Sequence, residues 1–334
     1  PNSVTVLMNP LLKHLGEKVA GKGALVLPQQ KAEELVRKKG NIVGVKIGGE
    51  ELRGGTVVAA DGVLSFLASA AGLRPEKPTN LYGIGIKEII QLDSSKIEER
   101  FNLPTGKGAS RLYMGQITRG IPGGGFIYTN SGSLSIGLVV HMKSIAEWQS
   151  ETEVWELLAA FKSRPDVAPL VAGGQTIEYG AHLIPEGGFA HMPKPGIPGL
   201  LLTGDAAGLV LNTGNTLRGM DLAIASGMLA GRSIVQAHKQ KLSPEACLSH
   251  YDHSLKNSFV IKQMKAYKKA PDILALKRVY ERYPRRMVQL PRELFHVDAK
   301  GRSMTFWKVA KNLVFKVLGW HGFRDFWRLM RMGS

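Results

Sequence analysis

Three consecutive leucines, Leu200-Leu201-Leu202, run through Thr203 into Gly204-Asp205-Ala206-Ala207-Gly208, and this junction constrains the chain more than any other feature. A short continuous apolar run reads as a strand buried on both faces. Glycine lets the backbone turn sharply at the strand's carboxyl end. Asp205 can then accept hydrogen bonds from a polyol, while the alanines leave room for a flat cofactor. A long helix is expected behind the turn, from about Leu217 to Lys239, with its positive N-terminal end aimed at the same spot. Its Ala223, Ala225, Ser226, Gly227, Ala230 and Gly231 predict close backbone packing. The Gly-Asp pair alone reads as an ordinary strand-to-helix turn, whereas the full run from Gly204 to Gly231 points to a cofactor cradle.

The rest of the chain alternates in a way that suits an α/β protein. Val4 to Leu7 reads as a strand feeding a helix that Asn9 caps, with Pro10 in its first turn and an end near Gly21–Gly23. Ala24 to Leu27 reads as a short buried strand, Glu34–Lys38 and Asn41–Ile47 as a hairpin, and Thr56 to Ala60 as a buried strand stopping at Asp61-Gly62. From about Leu81 to Val140 the pattern is β-rich, with strands expected at Tyr82–Glu88, Ser110–Met114, Gly125–Thr129 and Ser133–Val140. An amphipathic helix follows over Trp148–Ser163, then a strand at Gln175–His182. Beyond Pro244 the chain reads as helical, aromatic and basic.

The 334 residues are 44% apolar, with 39 glycines and 17 prolines, the composition of a folded, turn-rich enzyme. The net charge of +17 is concentrated: from Arg232 to Ser334 there are 22 Lys/Arg against 7 Asp/Glu. No zinc-finger or RNA-binding spacing accompanies this basic segment, so nucleic acid is not the expected partner. Cys247 is the single cysteine, too few for an iron–sulfur cluster or a structural zinc site in this chain. Of the nine histidines only His250 and His253 have a helical spacing, which reads as a solvated face; no metal site and no catalytic triad are expected. No apolar run reaches the ~20 residues needed to span a bilayer. In the tail, Phe306, Trp307, Phe315, Trp320 and Trp327 alternate with Lys308, Lys311, Lys316, Arg324 and Arg328. This pattern suits a helix lying in a membrane interface and, almost as well, a helix docking a partner.

The run Gly204 to Asn212, then Gly214, then Thr216-Leu217-Arg218-Gly219-Met220-Asp221 through Gly227, resembles the flavoprotein subunit of Fix-type electron-transfer-flavoprotein:quinone oxidoreductases, a group related to geranylgeranyl reductases. Val57 to Gly62, Glu98 to Pro104 and Tyr179 to Gly188 carry the resemblance over nearly the whole chain. It implies an FAD-binding, Rossmann-like domain of the glutathione-reductase type over residues 1–80 and 170–240. An inserted β-rich quinone or substrate domain would cover 81–169, and a basic, aromatic helical segment 241–334.

The resemblance also implies roles for individual residues. Asp205 would hold the ribityl chain, Gly204, Ala206 and Ala207 would line the phosphates, and Gly219-Met220 would lie under the flavin ring, with Gly214 and Arg218 in the same site. Asp61-Gly62 would close the dinucleotide site and the backbone near Val26 would meet the adenine. The substrate-side residues would be His182, Pro185, Glu186 and Gly187. No residue need be catalytic, because the flavin carries the redox chemistry.

The family's opening G-x-G-x-x-G is not found; Gly21, Gly23, Gly83 and Gly85 lack its spacing. Met8 stands where relatives usually carry an Arg. With Pro1 as its first residue, the sequence is expected to lack an upstream βαβ unit. The implied activity takes electrons from an electron-transfer flavoprotein and passes them to membrane quinone, with a ferredoxin-like iron–sulfur subunit as a further partner. The expected place is the inner face of the cytoplasmic membrane. Electron bifurcation is left open. Two alternatives stand beside it: an FAD-dependent isoprenoid reductase, and a non-catalytic scaffold that has lost FAD.

Overall fold

The computed structural model describes residues 4–74, 79–147, 153–214 and 216–297, with 305, 307, 308, 311, 325 and 327. Helix α1 (Met8–Ala20) comes first, followed by the antiparallel strands β1 (Glu34–Lys38), β2 (Asn41–Ile47) and β3 (Glu50–Arg53). The β1–β2 turn places Lys39 and Gly40 at φ 49° and 84°, the pair of positive angles that matches the twist of a two-residue hairpin. Next are β4 (Val57–Ala59) and the short helix α2 (Phe66–Ala70).

The β-rich part contains β5 (Tyr82–Gln91), α3 (Ser94–Phe101), β6 (Ser110–Tyr113), β7 (Gly123–Thr129), β8 (Ser133–His141), α4 (Met142–Ala146), α5 (Val154–Lys162), α6 (Ala168–Val171) and β9 (Gln175–Pro185). Its five strands form one antiparallel sheet in the order β6-β7-β8-β5-β9. Helices α3, α5 and α6 cover one face, so that Phe101, Leu157, Leu158, Phe161 and Leu170 pack on Ile86, Ile127, Ile136 and Leu138. By hydrogen bonding, the strand Gln175–Pro185 joins residues 81–169, not the layer formed by β4.

The chain then returns through β10 (Gly196–Ile197) and β11 (Leu200–Leu202), and crosses a two-stranded ribbon of β12 (Leu211–Asn212) and β13 (Leu217–Arg218). Helices α7 (Met220–Gln240), α8 (Pro244–Asn257), α9 (Phe259–Ala266), α10 (Ala270–Leu274) and α11 (Lys277–Phe295) follow. Strand β11 lies parallel to β4, with Leu200 opposite Val57 and Leu202 opposite Ala59. All three of its leucines are buried against α7, α8 and α9. Burying each one is worth about 1.5–3 kcal/mol. Tyr251 on α8 fixes this layer by donating its hydroxyl to the Leu202 carbonyl at 2.7 Å, inside the core.

Several expectations are corrected. Residues 4–7 and 24–27 form no strand, and Val4, Leu25, Val26 and Leu27 are exposed. An apolar run is buried only where a neighbour covers it, and these pair with no strand among the described residues. Helix α1 is not capped by Asn9, whose amide instead reaches Glu178 on β9 at 3.2 Å. Of the helix expected over Trp148–Ser163, residues 148–152 lie outside the described residues and α5 runs from Val154 to Lys162, its start marked by the Glu156 carboxylate accepting from the Glu153 backbone N–H. Helix α7 begins three residues late because Leu217 and Arg218 pair with Asn212 and Leu211.

The small residues of α7 do not produce close packing throughout. Added Cβ atoms on Gly227 and Gly231 would meet nothing within 4 Å. Of the basic aromatic tail, Trp307 and Trp327 are described and exposed. Phe306, Phe315, Trp320, Lys316, Arg324 and Arg328 lie outside the described residues. Among the described residues no helix is long and apolar enough to cross a membrane.

Candidate active site

The turn after β11 is built as its sequence requires. Gly204 sits at φ 57°, a left-handed conformation that side chains disfavour, and a Cβ there would lie 3.2 Å from that of Ala223 on α7. Its N–H donates to the Ser226 hydroxyl at 3.0 Å, and that hydroxyl donates in turn to the Ala223 carbonyl. A single 3₁₀ turn over Gly204–Ala207 ends at Gly208, at φ 69°. Ala206 and Ala207 are buried in this arrangement, so any ligand would meet the turn's backbone and Asp205.

Asp205 is half-buried, and its carboxylate has no hydrogen-bond partner among the described residues. Burial raises its pKa, opposed by nearby His182 and Arg74. A Cβ on Gly219, the residue preceding α7, would come within 3.7 Å of Asp205 Oδ1, which places the positive end of that helix beside the acid. Met220 is exposed at the helix start. Arg218 is turned away, to Gln263 Oε1 at 2.7 Å and to the Asp221 carboxylate.

Between the ribbon and the sheet lies an open cleft of about 360 Å³, lined by Gly85, Tyr113, Met114, Phe126, Tyr128, Ile184 and Leu217 among others. His182, Glu186, Gly214 and Thr216 also reach it. Space restricts the glycines here to different degrees: a Cβ on Gly123 would strike the Val139 carbonyl oxygen at 2.1 Å, one on Gly125 would crowd the side chains of Ile117, Leu138 and Phe161, and one on Gly85 would meet only the tip of Ile184. A second cavity of about 350 Å³ adjoins the cleft and shares Glu186, Asn212, Tyr280, Gly123 and Val139 with it. Glu186 accepts from the Asn212 amide at 3.2 Å. Although part of the residue stays open to the cavities, protein packs so closely round its carboxyl that burial pushes the pKa up to about 7.

The sequence-derived residues are therefore only partly assembled. Gly204, Asp205 and Gly219 meet at one corner, and His182, Glu186 and Gly214 line the cleft beside it. Pro185 and Gly187 face neighbouring cavities. Both oxygens of Asp61 are engaged at the start of α2, accepting from the Ser65 hydroxyl and the Leu67 N–H at 3.0 Å each, while Gly62 turns at φ 73°. Arg74 links that loop to the corner by bonding the carbonyls of Val63 and Asp205. Val26 is exposed and lines none of these cavities. Sequence reasoning missed Arg74 and Tyr280, which no motif includes, and gave no role to Asn212, the last residue of the Gly204 run. His250 bonds Ser233 and His253 bonds Asn257, and among the described residues no group of three or more His, Cys, Asp or Glu is arranged to hold a metal.

Comparison with known proteins identifies the family. Residues 82–184, which contain the five-stranded sheet, match the family described as "ETF-QO, ubiquinone-binding". The probable electron transfer flavoprotein-quinone oxidoreductase YdiS of Escherichia coli (strain K12) is 38% identical over 298 residues, 89% of this chain and 69% of that protein. Protein FixC of the same strain is 37% identical over 311 residues, 93% of this chain and 72% of its own length. Among solved structures, a geranylgeranyl bacteriochlorophyll reductase-like protein from Thermoplasma acidophilum aligns with a TM-score of 0.67 at 22% identity, covering 96% of this chain and 74% of that one. The FAD-dependent halogenase CndH aligns at 0.56 and 15% identity, covering 99% of this chain and 74% of that one, so the α/β architecture is one that FAD-dependent oxidoreductases use. The chain belongs to the electron transfer flavoprotein-quinone oxidoreductase family, together with FixC and YdiS, and is a flavoprotein oxidoreductase of that type.

Proposed function

We propose that this protein binds FAD noncovalently and passes electrons from an electron-transfer flavoprotein to a membrane quinone. The observation that carries the reading is the pairing of the Gly204–Asp205 turn, set at the start of α7, with an apolar cleft on the sheet of the ubiquinone-binding family match. The residues present fit the group: a half-buried carboxylate without a hydrogen-bond partner among the described residues suits a polyol, and the positive end of α7 suits a ring that gains negative charge. Bound FAD supplies the redox chemistry, accepting and releasing electrons.

Asp205 would accept hydrogen bonds from the ribityl chain. The backbone of Gly204, Ala206 and Ala207 would face the phosphates, and Gly214, Gly219 and Met220 would border the ring, with the backbone of Arg218 beside them while its side chain holds Gln263 and Asp221. Asp61 and Gly62 would close the dinucleotide side, with the backbone near Val26 at the adenine. His182, Pro185, Glu186 and Gly187 would border the acceptor. The chain's one cysteine is buried, which agrees with an iron–sulfur centre carried by a separate ferredoxin-like subunit. The exposed Trp307 and Trp327 and the Lys/Arg-rich C-terminal third favour contact with the inner face of the cytoplasmic membrane. Bifurcation to a low-potential acceptor is an extension of the same reading.

The test is anaerobic: reduced electron-transfer flavoprotein is mixed with the whole FAD-loaded protein and a ubiquinone analogue. Flavin-dependent quinol formation supports the proposal, and its absence refutes it. The likeness to a geranylgeranyl reductase-like fold favours one rival; reduction of a geranylgeranyl lipid, with quinone untouched, would establish that rival instead.

A further inference from the structure

We propose that Glu186 is the proton donor of the acceptor cleft, a carboxyl shared by two cavities that moves protons from the polar one to the apolar one; this rests on the quinone-reductase reading above. The carboxyl occupies the wall between the cavities, held by Asn212 Nδ2 at 3.2 Å and flanked by buried Tyr280. Space for it comes from Gly83 on β5, where a Cβ would lie 2.8 Å from Glu186 Oε2.

The two cavities differ in chemistry. On the cleft side, Phe126, Tyr128, Ile184 and Leu217 make an apolar slot in which Lys87 and His182 are the charged or titratable neighbours besides the tyrosines. The other side holds the ionisable groups: His141, Lys143 and Glu147 from the end of β8 and α4, His191, and Asp272 and Lys277 from α10 and α11. Lys143 pairs with Glu147, and both nitrogens of His141 are bonded, to Ser144 and Asn80. His191 bonds the Gly187 carbonyl through Nδ1. Burial raises the Glu186 pKa to about 7 against the Asn212 amide, which lowers it, so acid and carboxylate are both present at neutrality, the range in which a general acid is most effective.

The proton count gives such a group a task. Converting a quinone to a quinol consumes two electrons, supplied by reduced flavin, and two protons, one at each carbonyl oxygen. At one oxygen the O–H bond of the Glu186 acid breaks as a quinol O–H forms; the opposite oxygen, across the ring, takes its proton from water at the open mouth of the cleft. The carboxylate then recovers a proton from water in the polar cavity.

The experiment mixes anaerobically reduced whole protein with a ubiquinone analogue or with ferricyanide, which takes electrons but no protons. For Glu186→Gln the ratio of quinone to ferricyanide reduction falls on the order of a hundredfold, and a carboxylic-acid infrared band present in the wild type below neutral pH is lost. Gly83→Ala keeps the acid but displaces it from Asn212, and gives the same fall in ratio. An unchanged ratio in either variant, or an infrared spectrum in which Glu186→Gln removes no protonated carboxyl, overturns the proposal. Wild-type protein that reduces ferricyanide but no quinone at any pH overturns the underlying functional reading instead.

Discussion

Replacing Glu186 by Gln should stabilise the folded protein, and the gain should grow with pH. The side chain keeps its shape and still accepts from Asn212, so the change removes one titrating group with little repacking. In the folded state burial lifts that carboxyl from 4.5 to about 7. A raised carboxyl pKa means the folded chain holds the proton more tightly than the unfolded one. Its contribution is therefore fully favourable below about pH 4.5 and is lost as pH rises through about 7. At about 1.36 kcal/mol per unit, the wild type loses up to roughly 3 kcal/mol over that window relative to the variant; contact with water in the cavities makes this a ceiling. Urea denaturation of both proteins at pH 4.5, 6 and 8, compared at equal m-value, reads the difference directly. Two parallel stability curves would show that the carboxyl is solvated, and would refute the burial argument.

The other predictions use the same geometry. Gly204→Ala forces a side chain into φ 57° against Ala223 and should cost about 1–2 kcal/mol, read as a lower denaturation midpoint with reduced flavin content. Tyr251→Phe leaves the buried Leu202 carbonyl without its hydroxyl donor and should cost about 1–3 kcal/mol in the same assay. Asp61→Ala removes both acceptors at the start of α2 and should cost about 1 kcal/mol, with faster hydrogen exchange confined to residues 65–71.

Much of the fold was legible because its signals are local. Leu200–Leu202 is apolar without interruption, and no knowledge of its partner is needed to place it inside. Lys39-Gly40 between alternating runs specifies a hairpin for the same reason. The corner at Gly204–Asp205 was legible too, since a positive φ at a strand end selects glycine.

What failed depended on distant partners. Val26 and its neighbours look buried by composition, but burial is a property of what lies opposite. The late start of α7 follows from Leu217–Arg218 finding Asn212 and Leu211 across the ribbon. Tyr280, in the stretch read only as helical, aromatic and basic, is buried against the acceptor cleft, and Arg74 bonds a turn more than a hundred residues away. Neither carries a motif, because each acts through tertiary contact alone.

The central claim is that the corner at Asp205 holds FAD. Titrating FAD into the flavin-free whole protein and its Asp205→Ala variant, with binding followed by flavin fluorescence, tests it most directly. The account predicts saturable binding by the wild type, weakened by about tenfold or more in the variant, the loss of a charge-assisted hydrogen bond worth ~1.5–3 kcal/mol. Equal affinity in the two proteins would contradict it, since the cofactor would then have to sit elsewhere.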